Sequence, residues 1–419
     1  MKALTLPMAC AFHVSLFLVM AATAAAADET PAALPSAREL FTDQPKGLSE
    51  QIAAWKFIYV GETFGNLSGG LRQGAIYEGT AKFGIGVNMD KLLGWEGASF
   101  YTNVLLPHGD SLTQKYTGDF NVLSNIDTHD SLRLYKLWLQ QDLDDGKWSL
   151  RVGQIAADKE CFVSDSSSLY FNNAFGTFPV FSANIPGPIF PLSAPGARVR
   201  WSPADDFSVL AMVFSGDVGS ATTNPHNTGW EFRPQNGSLG LLEFAYKSHQ
   251  ADGDTGLPGT FKLGAFYDSK SFGDQSNDGS HHGDHGMYVM ADQSLYRDPL
   301  SGKDEPHGLN AFARTGVAPQ ADRNVVTFDG EAGLNYAGLF AARGKDITGL
   351  AFAFTRLGDA YVRANDGSSR HEAIIELTQL MLIGDHFTLQ PDVQYILNPG
   401  GLGFTRNAFA AGLRFTVYY

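Results

Sequence analysis

From Phe409 to Tyr419 the chain alternates position by position. Phe409, Ala411, Leu413, Phe415, Val417 and Tyr419 share one face of a strand, and Ala410, Gly412, Arg414, Thr416 and Tyr418 the other, because successive strand side chains point to opposite sides. The same two-residue period returns upstream. Between Val326 and Tyr336, the row Val326, Phe328, Gly330, Ala332, Leu334, Tyr336 opposes Thr327, Asp329, Glu331, Gly333, Asn335. Phe387, Leu389, Pro391, Val393 and Tyr395 oppose Thr388, Gln390, Asp392 and Gln394. Leu242, Phe244 and Tyr246 oppose Glu243 and Lys247; Trp148, Leu150 and Val152 oppose Ser149 and Arg151; Ala197, Val199 and Trp201 oppose Arg198 and Arg200. Each segment predicts a strand that is apolar on one side and hydrated on the other. A soluble sandwich turns the polar face to bulk water, whereas a membrane barrel turns it to an internal water column. Periodicity alone does not separate the two.

Other features favour the barrel. Met1 and Lys2 precede an apolar run from Ala9 to Ala22 and an alanine tract through Ala27, which reads as a signal peptide over residues 1–26. Residues 27–47, with three prolines, read as a flexible leader, and residues 48–419 as a single barrel domain with no break in composition. No later segment reaches the roughly 18 apolar residues a spanning helix needs, so any span is made of strands. The chain is 44% hydrophobic and 18% charged, with 46 glycines, 30 phenylalanines and 15 tyrosines, a mixture of sheet formers and turn residues. Aromatics stand at strand ends: Trp148, Trp201, Tyr246, Tyr336 and Tyr395. The chain length divides into about 16 strands of ~10 residues with their connections. Of the two cysteines, Cys10 falls in the signal segment and Cys161 remains as a packed residue without a disulfide partner. A net charge of −14 argues against nucleic acid as a partner. There is no nucleophile elbow, zinc-protease helix, phosphate-binding loop or paired-cysteine motif, so the chain reads as neither an enzyme nor a cofactor binder.

Several segments resemble the carbohydrate-selective porins of Gram-negative outer membranes, the OprB type. They are GGLRQGAIYEGTAKFGIGVNMDKLLGWEGASF (Gly69–Phe100), RLYKLWLQQ (Arg133–Gln141), WSLRVGQ (Trp148–Gln154), FNNAFGTFP (Phe171–Pro179), MYVMADQSLYR (Met287–Arg297), VAPQADRN (Val317–Asn324), AGLF (Ala337–Phe340) and FTLQPDVQYILNPGG (Phe387–Gly401). The resemblance implies a monomeric antiparallel barrel of about 16 strands in the outer membrane. It would pass sugars such as glucose by passive diffusion, face membrane lipid, and reach the barrel-assembly machinery through its last strand. Two departures stand out: Gln140 occupies a position where family members commonly carry an acid, and Tyr419 replaces the usual terminal Phe.

A sugar is polar at its rim and apolar on its ring faces, so a sugar pore needs hydrogen-bonding groups and a flat surface. Charged partners make the stronger bonds, and they must be several and weak enough to release the permeant. In the strand from Arg133 to Gln141, Lys136, Trp138 and Gln140 share the wet face. Trp138 reads as a stacking surface with Lys136 and Gln140 as hydroxyl partners, or alternatively as an interface aromatic. Arg151, Arg198, Arg200, Arg314 and Arg414 fall on wet faces, as do Glu243, Asp329, Glu331, Glu376, Asp392 and Gln394. Facing cationic and anionic rows would set a transverse field that orients hydroxyl dipoles, or they are ordinary solvated pairs. The irregular stretch from Phe162 to Pro191 reads either as a loop folded into the mouth, offering Tyr170, Asn172, Asn173 and Phe175, or as an external loop. His281, His282 and His285 lie in a glycine-rich run that reads as a solvated loop rather than a metal site. Outside sugar transport, a general or anion-preferring porin, an outer-membrane barrel enzyme and a soluble lectin-like sandwich remain as other readings.

Overall fold

Alternation becomes a closed wall in the computed structural model, which describes residues 47–215, 218–219, 223–230, 236–250, 256–298, 307–340 and 343–419. The expected signal peptide, and the leader up to residue 46, lie outside the described residues. The strands are β1 (Ala53–Gly70), β2 (Gly74–Asn88), β3 (Ala98–Gly109), β4 (Arg133–Leu143), β5 (Trp148–Ile155), β6 (Ala194–Ala204), β7 (Phe207–Ser215) and β8 (Ser238–Ser248). They continue as β9 (Gly259–Gly273), β10 (Ser280–Arg297), β11 (Gly308–Val317), β12 (Val326–Ala337), β13 (Ile347–Leu357), β14 (His371–Ile383), β15 (Phe387–Leu397) and β16 (Arg406–Tyr418). Each pairs antiparallel with its sequence neighbours, and β1 pairs with β16, so no strand edge is left open. No described helix is long and apolar enough to cross a membrane.

The two faces separate as the period requires. Phe328, Leu334, Tyr395, Phe409 and Leu413 are exposed on the outside, while Asp329, Glu331, Asp392, Gln394 and Arg414 point inward and are buried. Trp148 and Trp201 are register partners on β5 and β6, and their exposed rings stack 5.7 Å apart. An outward apolar belt with aromatics near its margin is what an acyl-chain solvent demands.

Connections alternate between the two ends of the barrel. At the end that carries the termini they are often tight. The β4–β5 hairpin, for example, turns through Asp145 (φ 51) and Gly146 (φ 85), with Lys147 N donating to Asp144 O at 3.0 Å. Positive φ at both central residues makes the turn whose twist matches the strands, and Asp-Gly supplies it. At the opposite end run longer connections, among them residues 110–132 and 156–193.

The histidine run is not a loop. Ser280–Arg297 is strand, and it was misread because glycine at 283 suggests a turn; Gly283 (φ 72) instead takes up a register shift between His282 and Asp284. His281 Nε2 lies 2.8 Å from Asp274 Oδ2. Among the described residues no three His, Cys, Asp or Glu side chains are placed to hold a metal ion. Cys161 is buried, with its sulfur 3.8 Å from that of Met212.

Candidate functional site

The connection 156–193 folds into the barrel rather than lying outside it. Its aromatics explain why: Phe162, Tyr170, Phe171, Phe175, Phe178 and Phe181 are all buried against one another or the inner wall. Such a path strips water from backbone N–H groups that a bent loop cannot pair with itself, and an unpaired buried donor costs about 1–3 kcal/mol. Wall carboxylates receive them. Glu376 accepts from Phe171 N at 2.6 Å and Asn172 N at 3.0 Å, and Asp329 from Val180 N at 2.7 Å. Glu243 accepts from Phe162 N at 3.2 Å, and Asp292 from Ser166 N at 3.1 Å. Arg314 Nη1 donates to Phe175 O at 2.7 Å and to Ser167 Oγ at 3.0 Å, its Nε lies 3.2 Å from Glu331 Oε2, and its guanidinium covers the Phe178 ring. Tyr170 Oη donates to Asn335 Oδ1 at 2.7 Å.

A second inward loop, residues 110–132, was missed by the sequence reading. Glu372 on β14 accepts from Phe120 N and Asn121 N at 2.6 and 2.8 Å. Arg414, paired with Glu62 at 2.6 Å, donates to Ser124 Oγ and Asn125 Oδ1 while lying over the Phe171 ring. The two loops also bond each other: Asn173 N to Val122 O at 2.9 Å, and Asn125 N to Phe171 O at 2.7 Å. The signal that could have found this loop is its length without a strand period, combined with the apolar and Asn mixture from Phe120 to Asn125. Within it Asp119 is buried near Glu372; burial, then that neighbouring charge, pushes its carboxyl up to about 7, against hydrogen bonds from Thr117 and Thr113.

Of the five expected cations three come together, on β5 and β6, while Arg314 and Arg414 stand apart on β11 and β16. Arg151, Arg198 and Arg200 converge on Glu160, a loop residue that the sequence reading did not single out. Arg198 Nε and Arg200 Nη2 stand 3.3 and 3.2 Å from Glu160 Oε2. Gln140 Oε1 accepts from Arg151 Nη2 at 2.6 Å and from Arg198 Nη2 at 3.0 Å. The carboxylate absent at position 140 is thus supplied from the loop. Burial alone would raise the Glu160 carboxyl, but Arg151, Arg198, Arg200 and Lys136 outweigh it and hold it below its ordinary range.

Trp138 points inward with Lys136 and Gln140, so it is not an interface aromatic. Nor is it an open stacking platform: the side chain is 1% exposed, the Arg151 guanidinium sits 3.8 Å from its ring centre, and Tyr101 packs 5.3 Å away. Arg151 occupies the face a sugar was expected to use. The anionic row is likewise spent differently from the expectation of a transverse field. Asp329, Glu331 and Glu376 bind loop backbone or Arg314. Gln394 donates to Leu123 O and Asp392 Oδ1, both at 3.1 Å, and accepts from Asn172 Nδ2. Asn172 is fully buried, and its Oδ1 caps Ala174 N. These groups face inward but lie beneath the loops.

A polar cavity of about 330 Å³ lies open between the 159–165 limb of the loop and the wall from β6 to β10. Glu160, Arg200, Glu243, Lys262 and Asp292 line it. The Arg200 side chain is 43% exposed, and Lys262 Nζ reaches Glu243 at 3.5 Å and Val163 O at 2.7 Å. Such a wall presents donors and acceptors of both signs to a polar, uncharged solute. A larger groove of about 640 Å³, lined by Phe244, Tyr246, Phe261, Leu263 and Val289, carries exposed apolar side chains and belongs to the outward belt.

Comparison with known proteins agrees with this arrangement. Residues 72–419 match the carbohydrate-selective porin, OprB family. The chain is 28% identical over 419 residues to Porin B of Pseudomonas aeruginosa, an alignment covering 87% of each protein. It is 23% identical over 381 residues to the putative porin QuiX of Acinetobacter baylyi, covering 83% of this chain and 85% of that one. Among solved structures, the high-pH structure of Pseudomonas putida OprB superposes with a TM-score of 0.78 at 24% identity, over 90% of this chain and all of that one; this likeness is one of fold.

Proposed function

The chain belongs to the OprB family of carbohydrate-selective porins, and from that premise we propose the route by which a sugar crosses it. It is a sugar-selective channel of the outer membrane. The permeant is a monosaccharide such as glucose, which passes by diffusion through the polar cavity beside β6 to β10. Arg200 donates to ring hydroxyls from its exposed side, while Glu160 holds the guanidinium in place and offsets its charge. Glu243 and Lys262, paired across the cavity wall, offer an acceptor and a donor further along. Lys136, Trp138, Gln140, Arg151 and Arg198 form the layer that fixes Arg200 and Glu160. Tyr170, Asn172, Asn173 and Phe175 shape the loop without touching the sugar. A single barrel is the transport unit, its apolar belt set in outer-membrane lipid and its last strand the segment read by the assembly machinery. The observation that carries this reading is the open cavity bounded by cations and carboxylates on the inner side of the barrel wall.

Single-channel conductance titrated with glucose tests it. Saturable block is expected, and Arg200→Ala should raise the half-blocking concentration. Block that is unchanged in this variant removes Arg200 from the sugar's path.

One observation favours the second reading, an anion-preferring pore: three guanidiniums surround one carboxylate. Reversal potentials in a salt gradient separate the two, because a sugar pore with a balanced cluster discriminates weakly between small ions.

A further inference from the structure

Glu372 and Glu376 lie on the same face of β14, both fully buried, and neither borders the polar cavity. Glu372 collects four donors from two connections: Phe120 N, Asn121 N and Asn121 Nδ2 at 2.6, 2.8 and 3.0 Å, and Gly400 N at 2.8 Å. Glu376 collects Phe171 N and Asn172 N. One carboxyl group therefore holds loop 110–132 and another, two steps along the same face beyond Ile374, holds loop 156–193. Between the two anchors the loops are laced together, by Asn173 N to Val122 O, by Asn125 N to Phe171 O, and by Asn172 Nδ2 to Asn121 O at 3.0 Å.

We infer that Glu372 and Glu376 are positioning residues for permeation: by tying both inward loops to β14 they fix where the 159–165 limb stands against the polar ends of β6 to β10, so the bore of that cavity is set from across the barrel. A buried N–H that loses its acceptor is left unsatisfied, so each loop turn is held where the carboxyl oxygens of β14 stand. A loop whose inward turn is held at such points has a fixed distance from the far wall. The lacing makes the two anchors act on one body, so loosening either moves the 159–165 limb that borders the cavity. The inference rests on the cavity being the sugar's route.

Glu372→Gln and Glu376→Gln keep side-chain shape but turn one acceptor oxygen into an amide that faces other donors. The barrel should still insert and show its heat-dependent shift on gels, while potassium chloride conductance becomes larger and noisier. The half-blocking glucose concentration should rise about tenfold, the factor that ~1.4 kcal/mol represents. Because the loops are laced, the double variant should depart from the product of the single effects. Glu376→Asp, which keeps both carboxyl oxygens, should recover part of the block. Asn121→Ala leaves β14 untouched and makes the same test from the loop side should a β14 variant fail to insert. Wild-type conductance and block in the inserted variants would overturn the positioning role. If glucose does not block the wild-type channel, the reading of the cavity falls, and the conductance of the variants alone decides the role of β14.

Discussion

Glu160 balances the cation cluster, and its removal is the sharpest perturbation of a single side chain. Glu160→Gln should leave Arg151, Arg198 and Arg200 uncompensated and shift the reversal potential toward chloride selectivity. An unshifted potential would mean that the cluster lies off the ion path. Because the Glu160 carboxyl is held below its ordinary range, its contribution to stability is fully present above the unfolded value and lost only as pH falls through the depressed folded one. Wild type should therefore acquire the variant's selectivity only in acid. Asp119 runs the other way. Its carboxyl is raised to about 7, so its contribution is present below the unfolded value and lost as pH rises through about 7. Asp119→Asn should flatten the pH dependence of thermal unfolding in detergent between about pH 4 and 7, and a slope equal to wild type would contradict this. That Trp138, Arg198 and Asp392 stand on the wet faces of their strands was legible from the period, which left open where those faces turn and whether Trp138 is an interface aromatic. Their partners were not, because Arg151 over Trp138 and Glu160 beneath the arginines depend on chain folded back from elsewhere.

Among the strands, an inward ring often lies across a glycine on the neighbouring strand. Phe64 faces Gly412 in the β1–β16 register, and a Cβ built on Gly412 would stand 2.4 Å from that ring. Phe64 in turn packs edge-on to Phe171 of the inward loop, at 5.7 Å. Gly412→Val should therefore cost about 1–3 kcal/mol through overpacking. It should lower the temperature of the heat-dependent gel shift; an unchanged transition would show that Phe64 can turn away freely. Strands were readable because their period depends only on local alternation, as in Val326–Tyr336. The docking of residues 110–132 was not, because a loop's backbone N–H groups carry no side-chain pattern, and the carboxylates that accept them stand on strands far along the chain. Glu376 was legible as a wet-face acid but not as an anchor, and Glu372 was not singled out at all. The histidine run failed for the reverse reason: local glycine content outweighed a strand whose register is taken up by one bulge.

At the scale of the molecule, an apolar belt surrounds a lumen that loops fill unequally. Leu263 and Leu334 are exposed on the belt. Either one changed to Arg should destabilise the barrel in lipid by about 2–4 kcal/mol if it lies near the midplane, measured by denaturant unfolding in vesicles; a neutral result at both would place that face outside the bilayer. Inside, the loops pack on β11 to β16 and on the apolar inner faces of β7 to β10, and the polar cavity lies at the ends of β6 to β10 nearest the termini. Family membership and this asymmetry together describe a channel that admits sugars by recognition rather than by size alone. Liposome swelling measures that distinction most directly, with the rate of glucose entry compared with that of an uncharged, acyclic polyol of similar mass across a concentration series. Glucose entry should saturate and exceed the polyol's at low concentration; rates that rise in proportion to concentration and coincide for the two solutes would contradict a sugar-binding constriction.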